Sequence, residues 1–209
     1  MVGQGVLREC LRDPVVTQVL SVGRNVTGQQ HPKLIELRHA DFLNFSAIEN
    51  DLVGYEACFF CLGVSSVGMG EDRYRHQTYD ITLAAARTLV RLNPAMTFVY
   101  VTGAGTDSTE RGASMWARVK GKTENDLLAL PFKAAYMFRP AGIQPLHGVR
   151  SKTAWVQGIY AVTGPLLTFL NRVAPKYMTT TEQMGRAMIA VARDGYPKRI
   201  LESLDINSI

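Results

Sequence analysis

Apolar positions along this chain switch repeatedly between a helical spacing and short continuous runs. In residues 3–13, GQGVLRECLRD, Val6, Leu7, Cys10 and Leu11 recur at helical intervals and Pro14 stands just beyond, which predicts a helix. VTQVLSVGR then reads as an apolar strand that stops at Gly23, and LIELRHADF, after Pro32, as a weaker strand. EACFFCLG is a short apolar run suited to burial on both faces of a sheet. Residues 71–92 set Leu83, Ala86, Leu89 and Val90 on one side before Asn93 and Pro94, which predicts a second helix, and MTFVYVTG predicts the next strand. A helix through Lys120 ends before Pro131, and KAAYMFRP is again a strand. Thr179 and Glu182 form a capping box ahead of a stripe of Met184, Met188 and Val191, closed by Gly195. KRILES is a last short strand.

Strands alternating with helices at this spacing imply βαβ units and an α/β fold: a doubly wound, mainly parallel sheet with helices on both faces. Ligands of such sheets bind at the carboxyl ends of the strands. The length of 209 residues suits a single domain over 1–209, with 146–178 as a substrate-pocket or lid region. That region mixes His147, Arg150, Trp155, Tyr160 and Phe169 without a diagnostic pattern. Its most apolar part, Ala154 to Val173, is broken by Gln157, Gly158, Gly164, Pro165 and Asn171, so it reads as helices around a bend and not as a membrane span.

Charge narrows the partners. The formal net charge is +5, but Lys and Arg are scattered, so a phosphate-bearing small molecule fits the balance as well as nucleic acid does, and no basic stripe or nucleic-acid module is present. Three cysteines without a signal-peptide core point to a reducing compartment, expected to be the cytoplasm. Cys58 and Cys61 form a CxxC, but without a second ligand pair they read as core, and the four histidines show no ligand spacing. No metal is expected, and the oligomeric state is expected to be monomer or homodimer.

The residues that follow the strands are Gly23-Arg24, Asp41-Phe42, Leu62-Gly63-Val64, Thr102-Gly103 and Arg139-Pro140. An acidic residue at the place of Arg24 would bind the ribose hydroxyls of NAD; a guanidinium there suits a 2′-phosphate instead, the plain alternative being a solvated surface arginine. Asp41, with Phe42 alongside, suits either an adenine amino group or the start of a turn. Gly63 would let the backbone approach a flat ligand.

Taken in order, SVGR, HADF, CLGVSS, YVTGAGTDS, WARVKGKTEN, MFRPAGIQP and TTTEQMGRAM resemble the short-chain dehydrogenase/reductase superfamily over nearly the whole chain. The likeness is to its atypical, extended-like NAD(P)-binding branch, which includes Tat-interacting-protein-like oxidoreductases and bacterial epimerase-like proteins. The resemblance implies a Rossmann-like fold. It places Lys120, Thr102 and Trp116 at the catalytic positions, and Gly3, Arg24, Asp41, Phe42, Leu62, Gly63, Lys120 and Arg139 around the cofactor, NADP in preference to NAD. In the family a tyrosine four residues before the lysine moves the substrate proton, and here Trp116 stands in its place. Indole N–H donates a hydrogen bond but is no general acid near neutral pH.

Two functions are therefore open: an NADP-dependent oxidoreductase acting on a small carbonyl or alcohol, with Tyr74, Tyr79 or water replacing the phenol, or a non-catalytic dinucleotide-binding redox sensor or partner-binding protein. The resemblance also places the family's first central strand and most of its glycine-rich turn before Gly3. The chain is accordingly expected to be a shortened form in which the strands TQVLSVG and EACFFCLG flank an open position.

Overall fold

A computed structural model describes residues 1–146 and 176–209. The pocket region expected over 146–178, with His147, Arg150, Trp155, Tyr160 and Phe169, lies almost wholly outside them. Helices are interspersed among the described strands, and the pairs whose direction is resolved are parallel, giving a Rossmann-like α/β fold. They form three sheets among the described residues and group into two compact units.

The first unit takes in Met1–Ala40, Pro140–Ala190 and Glu202–Ile209. Its helix α1, Val2–Arg12, buries Val6, Leu7, Cys10 and Leu11, the stripe that the spacing predicts. Strands β1 (Val19–Gly23) and β2 (Leu34–Arg38) run parallel with Gly23 opposite Arg38. A helix over Thr181–Asp194 packs its first turns on α1 so closely that a Cβ on Gly5 would stand 2.6 Å from the Thr181 side chain. Its cap differs from the expected one. Thr180 Oγ1 accepts from the Gln183 amide at 3.0 Å, so the N-cap lies one residue later than Thr179, which sits in a short strand over Met178–Thr180 with its hydroxyl buried. Glu182 instead pairs with Arg186 at 2.6 Å. Gly195 closes the helix at φ +77 as expected.

The second unit takes in Asp41–Arg139 and Val191–Leu201. Here β3 (Ala57–Phe60), β4 (Thr97–Val101) and β5 (Ala134–Arg139) pair in parallel, with the short strand β8 (Ile200–Glu202) beyond β5; β6 and β7 are the short strands Gly142–Gln144 and Met178–Thr180 of the first unit. Phe98, Val99, Tyr100, Met137 and Phe138 are all at most 1% exposed, and Phe98 stacks between Phe60 and Phe132 at centroid distances of 5.9 and 5.1 Å. One β3 expectation shifts: the strand ends at Phe60, short of Gly63. The helix expected over 71–92 is interrupted. Helix α2 (Glu71–Arg75) passes through a π turn at His76–Asp80 into α3 (Ile81–Leu92). Such a bulge shifts the register of the apolar face by one residue and leaves no mark in the hydrophobic pattern.

Helix α4, Met115–Leu128, carries the family-like segment and lies against the loop that leaves β4. The contact depends on Gly121, because a Cβ there would sit 1.8 Å from the Asp107 carbonyl oxygen. The loop is fastened by its own chemistry as well: the Asp107 carboxylate accepts from the Thr109 hydroxyl and from the amides of Gly112, Thr109 and Arg111, which holds its pKa below the ordinary aspartate range. Gly121→Ala should therefore lower stability by about 3 kcal/mol in urea unfolding, a cost of overpacking a backbone contact. Gly63→Ala, whose added Cβ would meet nothing within 4 Å, should stay within about 0.5 kcal/mol of the parent.

Candidate functional site

A carboxylate with no solvent around it organises the carboxyl ends of β4 and β5. Glu124, on α4, is fully buried. Arg139, the last residue of β5, directs Nε at both of its oxygens, at 3.0 and 3.1 Å, and a terminal nitrogen at one of them. The Thr102 hydroxyl donates to the same carboxylate at 2.6 Å, and the terminal nitrogen of Arg139 that bonds Glu124 also donates to the Ser108 hydroxyl at 2.6 Å. A guanidinium presents a rigid fork that matches a carboxylate, and bonds in which both partners are ionised are among the strongest a protein makes. The pair ties α4 to the ends of two strands. Glu124 was missed in the sequence, although it stands four residues after Lys120 and so on the same helix face.

Lys120 occupies the same end. Its Nζ donates to the Thr102 carbonyl at 2.8 Å, just past the last residue of β4. That is its one hydrogen bond to the described residues, because Glu124 is spent on Arg139 and Thr102. Desolvation outweighs the attraction of Glu124 and lowers the Lys120 pKa to about 8. Thr102 thus brings its carbonyl to Lys120 and turns its hydroxyl inward, where the sequence had suggested a catalytic hydroxyl. Arg139, expected at the cofactor, is engaged by Glu124. Trp116, one helical turn before Lys120, rests its ring over the β4–α4 loop, with Cη2 3.4 Å from the place of a Cβ on Gly105.

The two tyrosines expected to replace the missing phenol are placed elsewhere. Tyr79 donates its hydroxyl to Asp126 at 2.5 Å and lies 5.3 Å from the Lys122 ammonium. Residues 122 and 126 point from the side of α4 away from 120 and 124, since two residues advance a helix by about 200°. Tyr74 is 2% exposed. A cleft of about 130 Å³ between α2 and α4, lined in part by Arg75, Tyr79, Arg118 and Lys122, belongs to that outer side too.

Other expected site residues are placed less pointedly. Asp41 uses a carboxylate oxygen to accept from the Leu43 amide at 3.0 Å, the turn alternative, and Phe42 meets Phe45 edge to face. Leu62 is 43% exposed, and around Gly63 a Cβ would meet nothing, so no close cradle surrounds that backbone. In the first unit Gly3 is exposed in the first turn of α1. Arg24 is exposed immediately after β1, and its carbonyl accepts from Arg38 Nε at 3.1 Å, which brings the Arg38 guanidinium to the Arg24 backbone at the carboxyl ends of β1 and β2. Arg38 was passed over because it was read as an interior strand residue of LIELRHADF.

Among the described residues, no helix is long and apolar enough to cross a membrane. No family model matches the chain. It is 28% identical over 211 residues to the protein FMP52-2, mitochondrial, of Scheffersomyces stipitis, which covers 97% of this chain and 87% of that protein. In structure it is similar to a thiolation-reductase di-domain from an archaeal non-ribosomal peptide synthetase, with a TM-score of 0.70 at 9% identity, covering 97% of this chain and 67% of that one. It is also similar to the dTDP-glucose 4,6-dehydratase DesIV of Streptomyces venezuelae, a structure with NAD bound, with a TM-score of 0.63 at 12% identity, covering 99% of this chain and 76% of that one. The likeness is one of fold, a Rossmann-like α/β arrangement shared with these structures. The mitochondrial relative corrects the cytoplasmic expectation, because a small number of cysteines in a sequence does not by itself assign a compartment.

Removal of the buried charge is the sharpest test of this arrangement. Glu124→Gln leaves the Arg139 guanidinium without its counterion and should cost about 3 to 5 kcal/mol in urea unfolding.

Proposed function

We propose that this chain binds NADP(H) and moves a hydride between that cofactor and a small carbonyl or alcohol substrate. The observation that carries the reading is the Lys120 ammonium, held by the Thr102 carbonyl at the carboxyl end of β4 in a fold shared with an NAD-bound dehydratase. The chemistry of the available donors fits a nicotinamide dinucleotide. In the second unit, an ammonium with one hydrogen bond to the described residues suits ribose hydroxyls; in the first, the guanidinium groups of Arg24 and Arg38 at the ends of β1 and β2 each suit a phosphate monoester such as the 2′-phosphate of NADP. When bound, the cofactor supplies the hydride; the residues of the chain bind and orient it and must move one proton.

A second reading has its own observation. Trp116 stands where the family has its tyrosine and packs over Gly105, so a dinucleotide-binding protein without turnover, a redox sensor or partner-binding subunit, needs no further change in the residues.

NADPH oxidation with a panel of aldehydes and ketones, alongside NADPH fluorescence titration, separates the two. Binding with turnover supports the oxidoreductase, binding without turnover the second reading, and no binding refutes both. Loss of a charge-assisted phosphate contact costs about 1.5 to 3 kcal/mol, roughly ten- to a hundredfold in affinity. Arg24→Ala should accordingly weaken NADPH binding by that factor while leaving NADH binding unchanged; equal affinity of the unmodified chain for the two cofactors would count against the NADP assignment. Trp116→Tyr should raise turnover, since it restores a phenol one helical turn before Lys120.

A further inference from the structure

The missing phenol leaves a vacancy in the chemistry, and the geometry around β4 and α4 narrows what can fill it. Carbonyl reduction needs one proton for each hydride. Tyr79 is bonded to Asp126 on the opposite side of α4, and Tyr74 and Tyr100 are 2% and 1% exposed. The Thr102 hydroxyl donates to Glu124, and the Thr106 hydroxyl donates to the Gly103 carbonyl at 2.7 Å. Lys120 differs from all of these. It is half-buried at the strand end with one acceptor among the described residues, the Thr102 carbonyl, so that two of its three N–H groups have no partner among them.

We infer that Lys120 is itself the proton-transfer group of this site, its ammonium giving the proton that the tyrosine gives elsewhere in the fold. The inference rests on the oxidoreductase reading and deepens it. In the reducing direction the substrate carbonyl carbon accepts the hydride from the dihydronicotinamide, and the carbonyl oxygen takes a proton from Nζ. The alcohol and the oxidised cofactor leave, and the neutral amine recovers its proton from water. Oxidation of an alcohol runs the same transfers backwards, with the neutral amine as base.

The surrounding charges are arranged so that this amine can titrate. Glu124, on its own helix, is the carboxylate that acts on Lys120, and it is paired with Arg139 from the end of β5. Asp107, in the β4–α4 loop, turns its carboxylate to the loop amides and to the Thr109 hydroxyl. The charged groups of α2 and the π turn meet α4 on its other side: Glu71 pairs with Arg118, Arg75 lies over the Tyr79 ring, and Arg87 of α3 acts on Asp126. An ammonium in a desolvated place without a contacting carboxylate releases its proton more readily. A general acid works best with a pKa near the operating pH, and burial brings Lys120 to about 8.

The first test needs no cofactor. The full chain, labelled with 13C at the lysine ε carbon and with the Lys120 signal identified by its loss in Lys120→Arg, is titrated by NMR. A Lys120 midpoint near pH 8 supports the inference, and a midpoint at the ordinary lysine value, about 10.4, overturns it. The second test follows NADPH oxidation with 4-nitrobenzaldehyde as probe. The rate should fall tenfold per pH unit above the Lys120 midpoint, and Lys120→Arg, which keeps the charge but holds its proton, should lose at least a hundredfold in rate while still quenching or enhancing NADPH fluorescence on binding. A rate that is flat across the midpoint, or a Lys120→Arg protein as fast as its parent, or no turnover of the probe by either, overturns the inference. Failure to bind NADPH at all is read separately, by fluorescence, and sinks the oxidoreductase reading itself.

Discussion

The pairing of Glu124 with Arg139 is the interaction on which the rest of this site depends. A fully buried carboxylate is costly unless its charge is met and its lone pairs are filled. Here Arg139 meets the charge with its Nε and a terminal nitrogen, and the Thr102 hydroxyl adds a further bond. These contacts join α4 to the ends of β4 and β5, so the helix cannot slide along the sheet without exposing an unpaired charge. The position of Lys120 follows from this, since it stands one turn before Glu124 on the same helix and its tail ends on the carbonyl of the same Thr102. The loop between β4 and α4 is held to the helix at Gly121, where no side chain would fit, and beneath Trp116 at Gly105.

The same pair sets the electrostatics. Were Glu124 free, it would stand one helical turn from Lys120 and hold that ammonium charged. Spent on Arg139, it acts on Lys120 only at a distance, and desolvation becomes the larger influence. A structural ion pair and a titratable amine are thus two results of one arrangement. The chemistry proposed here is a consequence of which partner the carboxylate took.

Much of the fold was legible in the sequence, because amphipathic periodicity and strand termini are local signals. Val6, Leu7, Cys10 and Leu11 announce the buried face of α1, Gly23 the end of β1, and Gly195 the end of the helix that starts at Thr181. What escaped was set by contacts distant in sequence. The π turn at His76–Asp80 changes register without changing the apolar pattern, and the choice of Thr180 over Thr179 as cap depends on where a three-residue strand ends. At the site, Lys120 was singled out by its spacing from Trp116, and the structure sets it on the Thr102 carbonyl. The buried carboxylate that Thr102 and Arg139 share was not legible, because a residue that faces a ligand and one that faces a buried carboxylate look alike in sequence. Asp41 and Arg38 show the same limit: one was spent on a turn, and the other stands beside Arg24 only because β1 and β2 are in parallel register.

The measurement closest to the centre of this account is a double-mutant cycle on Glu124 and Arg139, read by urea unfolding of the parent, Glu124→Gln, Arg139→Met and the combined protein. If the pair holds α4 to the strand ends, each single change is strongly destabilising while the combined one recovers much of the loss, giving a coupling energy of about 2 kcal/mol or more. Effects that add to within about 0.5 kcal/mol would mean that the two residues act independently, and the placement of Lys120 would then need another cause.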